Sequence, residues 1–261
     1  MPTPLRRAFV WLIGSIGLAR LLLAHEYWER ALFLISIPVE DPLFPTVLRD
    51  PLLLLAALAG PLAIELLVLW RPTVGRMRRA AVVEIASAAV LLTHQAGFYK
   101  ATWIVVFWSG WLLAWLAWSG VRRPALIRTC GPFLAQAMVA FFFLGGAVGK
   151  WTAGYWAGEP FHDILFSRHP GIVYQHIRAT FDEAALWQIA TIYSRTIVIF
   201  ETAMIGVLLL PPRIASVLIV VAGLGLWTSS IVLYEIVFPI FGLAAVTWHL
   251  SSSSIGRHEL A

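Results

Sequence analysis

The chain has 261 residues, of which 60% are hydrophobic and 13% are charged, and its mean hydropathy is +0.81. These values exclude an ordinary soluble globular domain. The formal net charge of +5 at pH 7 does not indicate nucleic-acid binding, because the arginines lie between apolar runs, where they act as topology signals. Composition therefore predicts a polytopic protein whose first partner is the lipid bilayer.

Apolar runs long enough to cross about 30 Å of hydrocarbon recur along the chain. They predict an all-α fold, a polytopic helical bundle that forms a single transmembrane domain over residues 1–261. We expect about eight transmembrane helices, at Ala8–Ala24, Leu52–Trp70, Ala80–Tyr99, Trp103–Val121, Gly131–Gly149, Leu186–Leu210, Ile214–Tyr234 and Val237–His249. The first run is interpreted as a membrane span rather than a cleaved signal, although two arginines precede it.

The basic residues predict the topology of these spans. They gather on one side of the predicted bundle, at Arg6, Arg7, residues 71–79, residues 122–128, Arg213 and Arg257. The positive-inside rule then places both termini in the cytoplasm, in a protein of the bacterial inner membrane. The segment 151–184 faces the other side and is too apolar for a free loop, so we expect it to be interfacial or re-entrant.

The most informative stretch is Phe141–Gly158, where an apolar run ends in one lysine, Lys150, among glycines and tryptophans. Two interpretations are open at this point. Lys150 can extend its amine to the interface beside Trp151 and Trp156, as lysines at span ends often do. Alternatively, burial disfavours the ammonium form, so that a lysine at this depth can act as a base or nucleophile.

Other polar residues inside the predicted spans are candidate functional groups, because such residues are costly in a bilayer. In the predicted topology, Arg20, His94 and Gln95 lie at the depth of Lys150, beneath the segment 151–184. Imidazole can orient a neighbouring base or exchange protons with it. A single buried histidine is more often a packing residue, so both interpretations of His94 remain open.

Three carboxylates, Glu65, Glu84 and Glu201, lie deeper in the predicted spans, and Arg195 lies in the same helix as Glu201. Because Arg195 and Glu201 are six residues apart, they do not share a helical face. We expect each of these groups to find a partner on another helix or to be protonated. Arg195 and Glu201 are therefore interpreted as structural or proton-linked residues.

Two further observations limit the chemistry. His162, His169 and His176 recur at a spacing of seven, which puts them two helical turns apart, and we predict no metal site there. The single cysteine, Cys130, excludes an intrachain disulfide and a dithiol relay.

The stretch Phe141–Gly158, with its small residues, its lysine and a Trp-x-Gly six residues beyond, resembles the lysine motif of the horizontally transferred transmembrane domain family. That family includes the membrane domain of vitamin K-dependent gamma-glutamyl carboxylase. Ile164–His169 resembles the stretch that follows the motif, and Thr93–Tyr99 resembles one upstream of it. Glu201 falls where many family members carry an acidic residue. Trp227–Ser229 occupies the neighbourhood in which many members carry a later histidine.

The resemblance implies a carboxylase-like membrane enzyme, a lyase and quinol epoxidase. Lys150 would deprotonate a reduced quinone, such as reduced vitamin K or another quinol, with His94 in support. Oxygen would then form an epoxide through a strongly basic intermediate, and CO2 would add to the gamma carbon of a glutamate in a peptide or protein. The residues assigned to quinol or substrate binding are Arg20, Gln95, Tyr99, Trp151, Trp156, His162, Arg168 and His169.

An alternative is a non-enzymatic membrane maturation or binding partner. Four tryptophans recur at helical spacing and form one stripe that could contact another protein: Trp108, Trp111, Trp115 and Trp118. A transporter is a third possibility, since Pro61 and Pro239 could break helices, but the chain shows no internal repeat.

Overall fold

A computed structural model describes residues 1–36, 45–166, 172–229 and 234–251, and within these ranges every regular element is helical. The all-α prediction is therefore confirmed. The α-helices are α1 (Thr3–Ser36), α2 (Pro51–Trp70), α3 (Val74–Thr93), α4 (Lys100–Arg122), α5 (Pro124–Lys150), α6 (Ala153–Ala157), α7 (Ile172–Thr180), α8 (Glu183–Met204), α9 (Pro212–Ser229) and α10 (Tyr234–Ser251). Short 3-10 helices cover Thr46–Arg49 and Ile205–Leu209, and a π-helix covers Phe161–Phe166.

In the described part of the chain, five helical segments are long and apolar enough to cross a membrane: α1, α2, α4, α5, and α8 with its 3-10 extension to Leu209. The chain is thus a multi-pass membrane protein. Each of the eight predicted spans overlaps a described helix, and residues 230–233 of the span Ile214–Tyr234 lie outside the described residues. α9 and α10 are shorter, and α3 begins with several arginines and contains Glu84. The number of eight is not confirmed.

α1 is longer than the sequence predicted. Its 34 residues extend about 51 Å at 1.5 Å per residue, well beyond the span expected at Ala8–Ala24. The turns after Ala24 contain charged residues but no glycine or proline, so nothing stops the helix where the apolar run ends. Tyr27 anchors these turns: it is buried and donates a hydrogen bond of 2.9 Å to the carbonyl of Phe98.

Several helix starts follow from side-chain caps. Asp50 accepts a 2.8 Å bond from the amide of Leu52 at the start of α2, where proline is the first helical residue. Asp182 caps α8 in the same way through the amide of Ala185. These caps satisfy amides that have no partner within the helix.

Among the described residues, three prolines lie in helix interiors, at Pro61, Pro132 and Pro239, and none of these helices ends there. A proline has no N–H, so the carbonyl four residues earlier loses its helical donor. For Pro61 that carbonyl belongs to Ala57, and it is taken over by Ser87 Oγ at 2.5 Å and Arg20 Nη1 at 3.2 Å. The break in the hydrogen bonding of α2 is therefore filled by α1 and α3.

The chain divides into two compact units, residues 1–138 with 210–261 and residues 139–209. In the first unit, α1 packs against α2 and α10, α3 packs against α2 and α4, and α9 packs against α10. Its core is apolar and includes Leu12, Ile16 and Leu23 of α1. In the second unit, α6 and the π-helix pack against α8. The segment predicted to be interfacial or re-entrant thus contains short helices that dock on a long one.

Candidate functional site

Lys150 is the last residue of α5, and its amine binds the carboxyl group of Glu201 in α8. Nζ lies 2.5 Å from Oε1 and 2.6 Å from Oε2, so the amine donates to both oxygens. The Glu201 side chain is 8% exposed and that of Lys150 is 22% exposed. The pair is therefore closed on the Glu201 side, whereas part of the lysine remains accessible to a second molecule.

A glycine makes room for this pair. Gly146 lies four residues before Lys150 and thus on the same face of α5. A Cβ atom at that position would stand 2.9 Å from Glu201 Oε2 and 3.1 Å from its Cδ. A Cβ at Gly145 or Gly149 would meet nothing within 4 Å. Among these three glycines, only Gly146 is required by the position of the carboxylate.

Aromatic side chains lie beside the pair. The rings of Trp151 and Trp156 stack with centroids 5.2 Å apart and an angle of 18° between their planes. Trp151 Nε1 donates a 3.1 Å bond to Thr202 Oγ1, next in sequence to Glu201. Arg195 covers Trp156 with its guanidinium 5.3 Å from the ring centroid, and its Nε donates to the Trp156 carbonyl. Trp151 and Trp156 thus form an aromatic, amphipathic surface that is held in place by hydrogen bonds with α8.

Tyr155 of α6 lies near the lysine. Lys150 Nζ lies 5.9 Å from the centroid of its ring. Burial raises the pKa of Tyr155, and the nearby Glu201 carboxylate and Tyr193 raise it further. Its hydroxyl therefore keeps its proton at neutral pH. The backbone is fixed as well, because the Tyr155 carbonyl accepts a hydrogen bond from Ser194 Oγ.

Gly158 ends α6 in the left-handed region, with φ at +90°, and allows a very close approach to α8. A Cβ there would lie 2.6 Å from the amide nitrogen of Thr191 and 2.8 Å from the carbonyl carbon of Ala190. Thr191 Oγ1 also donates a 2.7 Å bond to the Ala157 carbonyl. The helix that carries Tyr155 and Trp156 is therefore packed against the backbone of α8 and hydrogen-bonded to its side chains.

His162 lies in the π-helix that follows. It is buried, stacks on Trp187 with ring centroids 3.8 Å apart, and places Nε2 2.9 Å from Glu183 Oε1 and Nδ1 3.2 Å from Asp163 Oδ1. In the described ranges no three His, Cys, Asp or Glu side chains come together as metal ligands would. Arg168 and His169, both assigned to substrate binding, lie outside the described residues.

His94 belongs to the first unit, where it follows α3 and is fully buried. Its Nδ1 accepts a 3.1 Å bond from the Ala96 amide, and its Nε2 stands 2.9 Å from the carbonyl of Asp50. Only the neutral tautomer with the proton on Nε2 satisfies both contacts. In this arrangement both ring nitrogens bind backbone groups and tie the end of α3 to the start of α2.

The other predicted residues of the first unit are placed as follows. The Gln95 amide binds the Leu48 carbonyl at 3.0 Å, and the Gln95 side-chain oxygen is buried without a hydrogen bond. Tyr99 precedes α4 with a φ of +51°. Arg20 is completely buried between Glu65 and Glu84. The proposed convergence of Arg20, His94 and Gln95 with Lys150 joins residues of different units and stays a prediction.

The second unit thus brings together Lys150, Trp151, Trp156, Arg195 and Glu201, five residues named from the sequence. Sequence reasoning missed Tyr155 and Gly146. The signal for Gly146 was present, since it lies one turn from Lys150 on the same face of an apolar helix. No comparable signal existed for Tyr155, because its approach to Lys150 depends on the turn at residues 151–153.

Comparison with known proteins finds no matching family model, no similar curated protein and no similar solved structure. What the chain does must therefore be argued from its own residues and from the resemblance described above.

Proposed function

We propose that the chain is a membrane enzyme in which Lys150 and Glu201 exchange protons with a reduced quinone. The observation that carries the proposal is the amine of Lys150, held by both oxygens of Glu201 at the end of a membrane helix and still partly exposed. A lysine that only reached for the interface would not need a dedicated buried carboxylate.

The pair can move a proton without creating an isolated charge. When Glu201 takes the proton of Lys150, the carboxyl group and the amine are both neutral, and the amine can accept a proton from a substrate hydroxyl. The resulting ammonium then stands beside the substrate anion and stabilises it. Exclusion of water strengthens this attraction. Glu201 thus serves as the internal proton acceptor for Lys150.

The surroundings fit a flat, hydrophobic substrate. The stacked pair of Trp151 and Trp156 offers an aromatic face, and Tyr155 contributes a ring whose centroid lies 5.9 Å from the amine and a protonated hydroxyl. A quinol of the vitamin K type would supply the reaction with oxygen that the resemblance implies, together with any coupled carboxylation of a peptide glutamate by CO2. In the predicted topology the site faces the non-cytoplasmic side of the bacterial inner membrane.

The direct test uses purified protein, a panel of reduced naphthoquinones and mass spectrometry to detect the epoxide. Lys150→Ala and Lys150→Arg should abolish quinol turnover while the protein stays folded. The chain offers a matched control, because its only other lysine is Lys100, which is exposed at the start of α4. Lys100→Ala should keep full turnover. Normal turnover in a folded Lys150→Ala protein would refute the proposal. A glutamyl peptide in the same reaction tests whether carboxylation occurs.

The presence of two lysines allows a second test that needs no substrate. Amine acylation requires the neutral form, and mass spectrometry can follow Lys100 and Lys150 separately as the pH is varied. Replacing Glu201 with Gln removes the internal acceptor and should change the pH profile of acylation at Lys150 but leave that of Lys100 as it was. Identical profiles at Lys150 in both proteins would show that the pair does not control the proton.

A second candidate is a non-enzymatic membrane partner. Trp108, Trp111 and Trp118 are exposed on α4, and a groove of about 610 Å³ between α3 and α4 is lined by Trp111, Trp115 and Trp118. Such a stripe fits contact with another protein, because aromatic residues are enriched at protein interfaces. Co-purification of a stoichiometric partner, lost when these tryptophans are replaced and unaffected by Lys150→Ala, would favour this function over the enzymatic one.

A further inference from the structure

A second buried ionic group lies in the first unit and takes no part in the site around Lys150. Arg20 of α1 binds two carboxyl groups: its Nε lies 2.9 Å from Glu65 Oε1 of α2, and its Nη2 lies 2.5 Å from Glu84 Oε2 of α3. The side chains of Arg20, Glu65 and Glu84 are 0%, 2% and 0% exposed. The guanidinium also lies 5.2 Å from the ring centroid of Trp103.

The charges of this group do not balance. Two ionised carboxylates and one guanidinium would leave a net charge of −1 in the apolar interior, and an uncompensated buried charge is strongly unfavourable. The third nitrogen of the guanidinium, Nη1, binds a neutral group, the Ala57 carbonyl that Pro61 leaves free, so it does not alter this charge.

The oxygens give a second, independent indication. Glu65 Oε2 and Glu84 Oε1 are both buried without a hydrogen-bond partner. Both carboxyl groups bind the same guanidinium, Glu65 through Oε1 and Glu84 through Oε2. Two ionised carboxylates have no donor between them, whereas a carboxylic acid can donate to a carboxylate beside it. One added proton therefore removes the excess charge and supplies a donor for the unsatisfied oxygens.

We propose that Glu65 and Glu84 share one proton at neutral pH, so that the three helices α1, α2 and α3 meet at a proton-binding site. Two carboxyl groups that share a site and hold one proton between them are a known solution to this charge conflict. The other groups facing the site are Arg20 and, beyond Trp103, the Tyr27 hydroxyl, which receives a 2.5 Å bond from Trp103 Nε1, with Arg30 near it. Arg20 is already counted, the phenol is neutral, and Arg30 is exposed and lies over the Phe98 ring, so none of them supplies a second buried cation.

The test is infrared spectroscopy of the full chain in lipid nanodiscs. The wild-type protein should show the carbonyl stretch of a protonated carboxylic acid at neutral pH, shifted in D2O. The band should be lost in both Glu65→Gln and Glu84→Gln. Each substitution leaves one carboxylate with Arg20, so both proteins should keep thermal midpoints close to wild type. Glu159→Gln, at an exposed carboxyl group, is the matched control and should retain the band.

Thermal unfolding, together with the infrared band, distinguishes a shared proton from the alternative in which both carboxylates are ionised. If both carboxylates are ionised, the wild type has no such band, and each single Gln variant removes an excess buried charge and raises the midpoint. Either result would overturn the proposal. With a shared proton, the wild-type midpoint should instead fall on raising the pH, as the native protein loses its extra proton, while Glu84→Gln should not show this fall. A double Glu65→Gln and Glu84→Gln variant should unfold at a much lower temperature, because Arg20 is left unpaired.

Discussion

Replacing Gly158 with alanine should destabilise the second unit more than any other change of one methyl group near the site. Adopting the left-handed conformation costs a residue with a side chain about 1–2 kcal/mol. The new methyl carbon would also stand 2.6 Å from the Thr191 nitrogen, and this neighbour is backbone that cannot rotate away. Overpacking of this kind typically costs about 1–3 kcal/mol. Together the two effects predict a loss of about 2–5 kcal/mol.

Gly149→Ala is the matched comparison, because a Cβ at that position in α5 meets nothing within 4 Å. Removing a glycine from a helix stabilises it by about 0.5–1 kcal/mol. Thermal or denaturant unfolding of the two variants in the same detergent should therefore shift the midpoint in opposite directions. Equal midpoints would show that α6 does not approach α8 as closely as described. In that case α8 would not fix the positions of Tyr155 and Trp156.

Three further predictions concern the two ionic groups. Gly146→Ala should lower quinol turnover because its methyl group displaces the Glu201 carboxylate, whereas Gly145→Ala, which meets nothing, should leave turnover unchanged. Glu201→Gln should lower the raised pKa of Tyr155 only in part, since burial is the larger cause. The pKa can be measured from the pH dependence of tyrosinate absorbance, with Tyr155→Phe as the reference protein. A raised pKa also means that this tyrosine's contribution to stability is lost as the pH rises through its titration. Arg20→Met should destabilise the protein by about 3–5 kcal/mol in thermal unfolding, because it leaves buried carboxyl groups without their cation; an unchanged midpoint would contradict this.

The helices were largely predictable because the bilayer requires long apolar runs, and these are visible in composition alone. The end of α1 was not, since its last turns are polar and are held by the tertiary contact of Tyr27 with Phe98. Hydropathy indicates which part of a helix lies in the membrane, whereas the length of the helix also depends on the contacts made by its ends.

The candidate site was predictable in its residue types but not in its pairings. A lysine and a glutamate in predicted membrane spans each suggest a partner of opposite charge. Lys150 and Glu201 are 51 residues apart, however, and no pattern in a single sequence predicts that they pair. The sequence predicts that Arg20 lies at the depth of His94 but names no partner for it, and the structure pairs Arg20 with Glu65 and Glu84. Depth limits which residues can meet, but rotation of each helix about its axis decides which of them do.

Pro61 shows that a residue with neither charge nor donor can decide where polar side chains enter a membrane bundle. Because Pro61 has no amide hydrogen, the Ala57 carbonyl oxygen has no donor within α2. Arg20 of α1 and Ser87 of α3 donate to it instead. Engineering that transplanted only the ionic side chains into another bundle would omit this acceptor. The position of the Arg20 side chain thus depends on a backbone carbonyl group of a neighbouring helix.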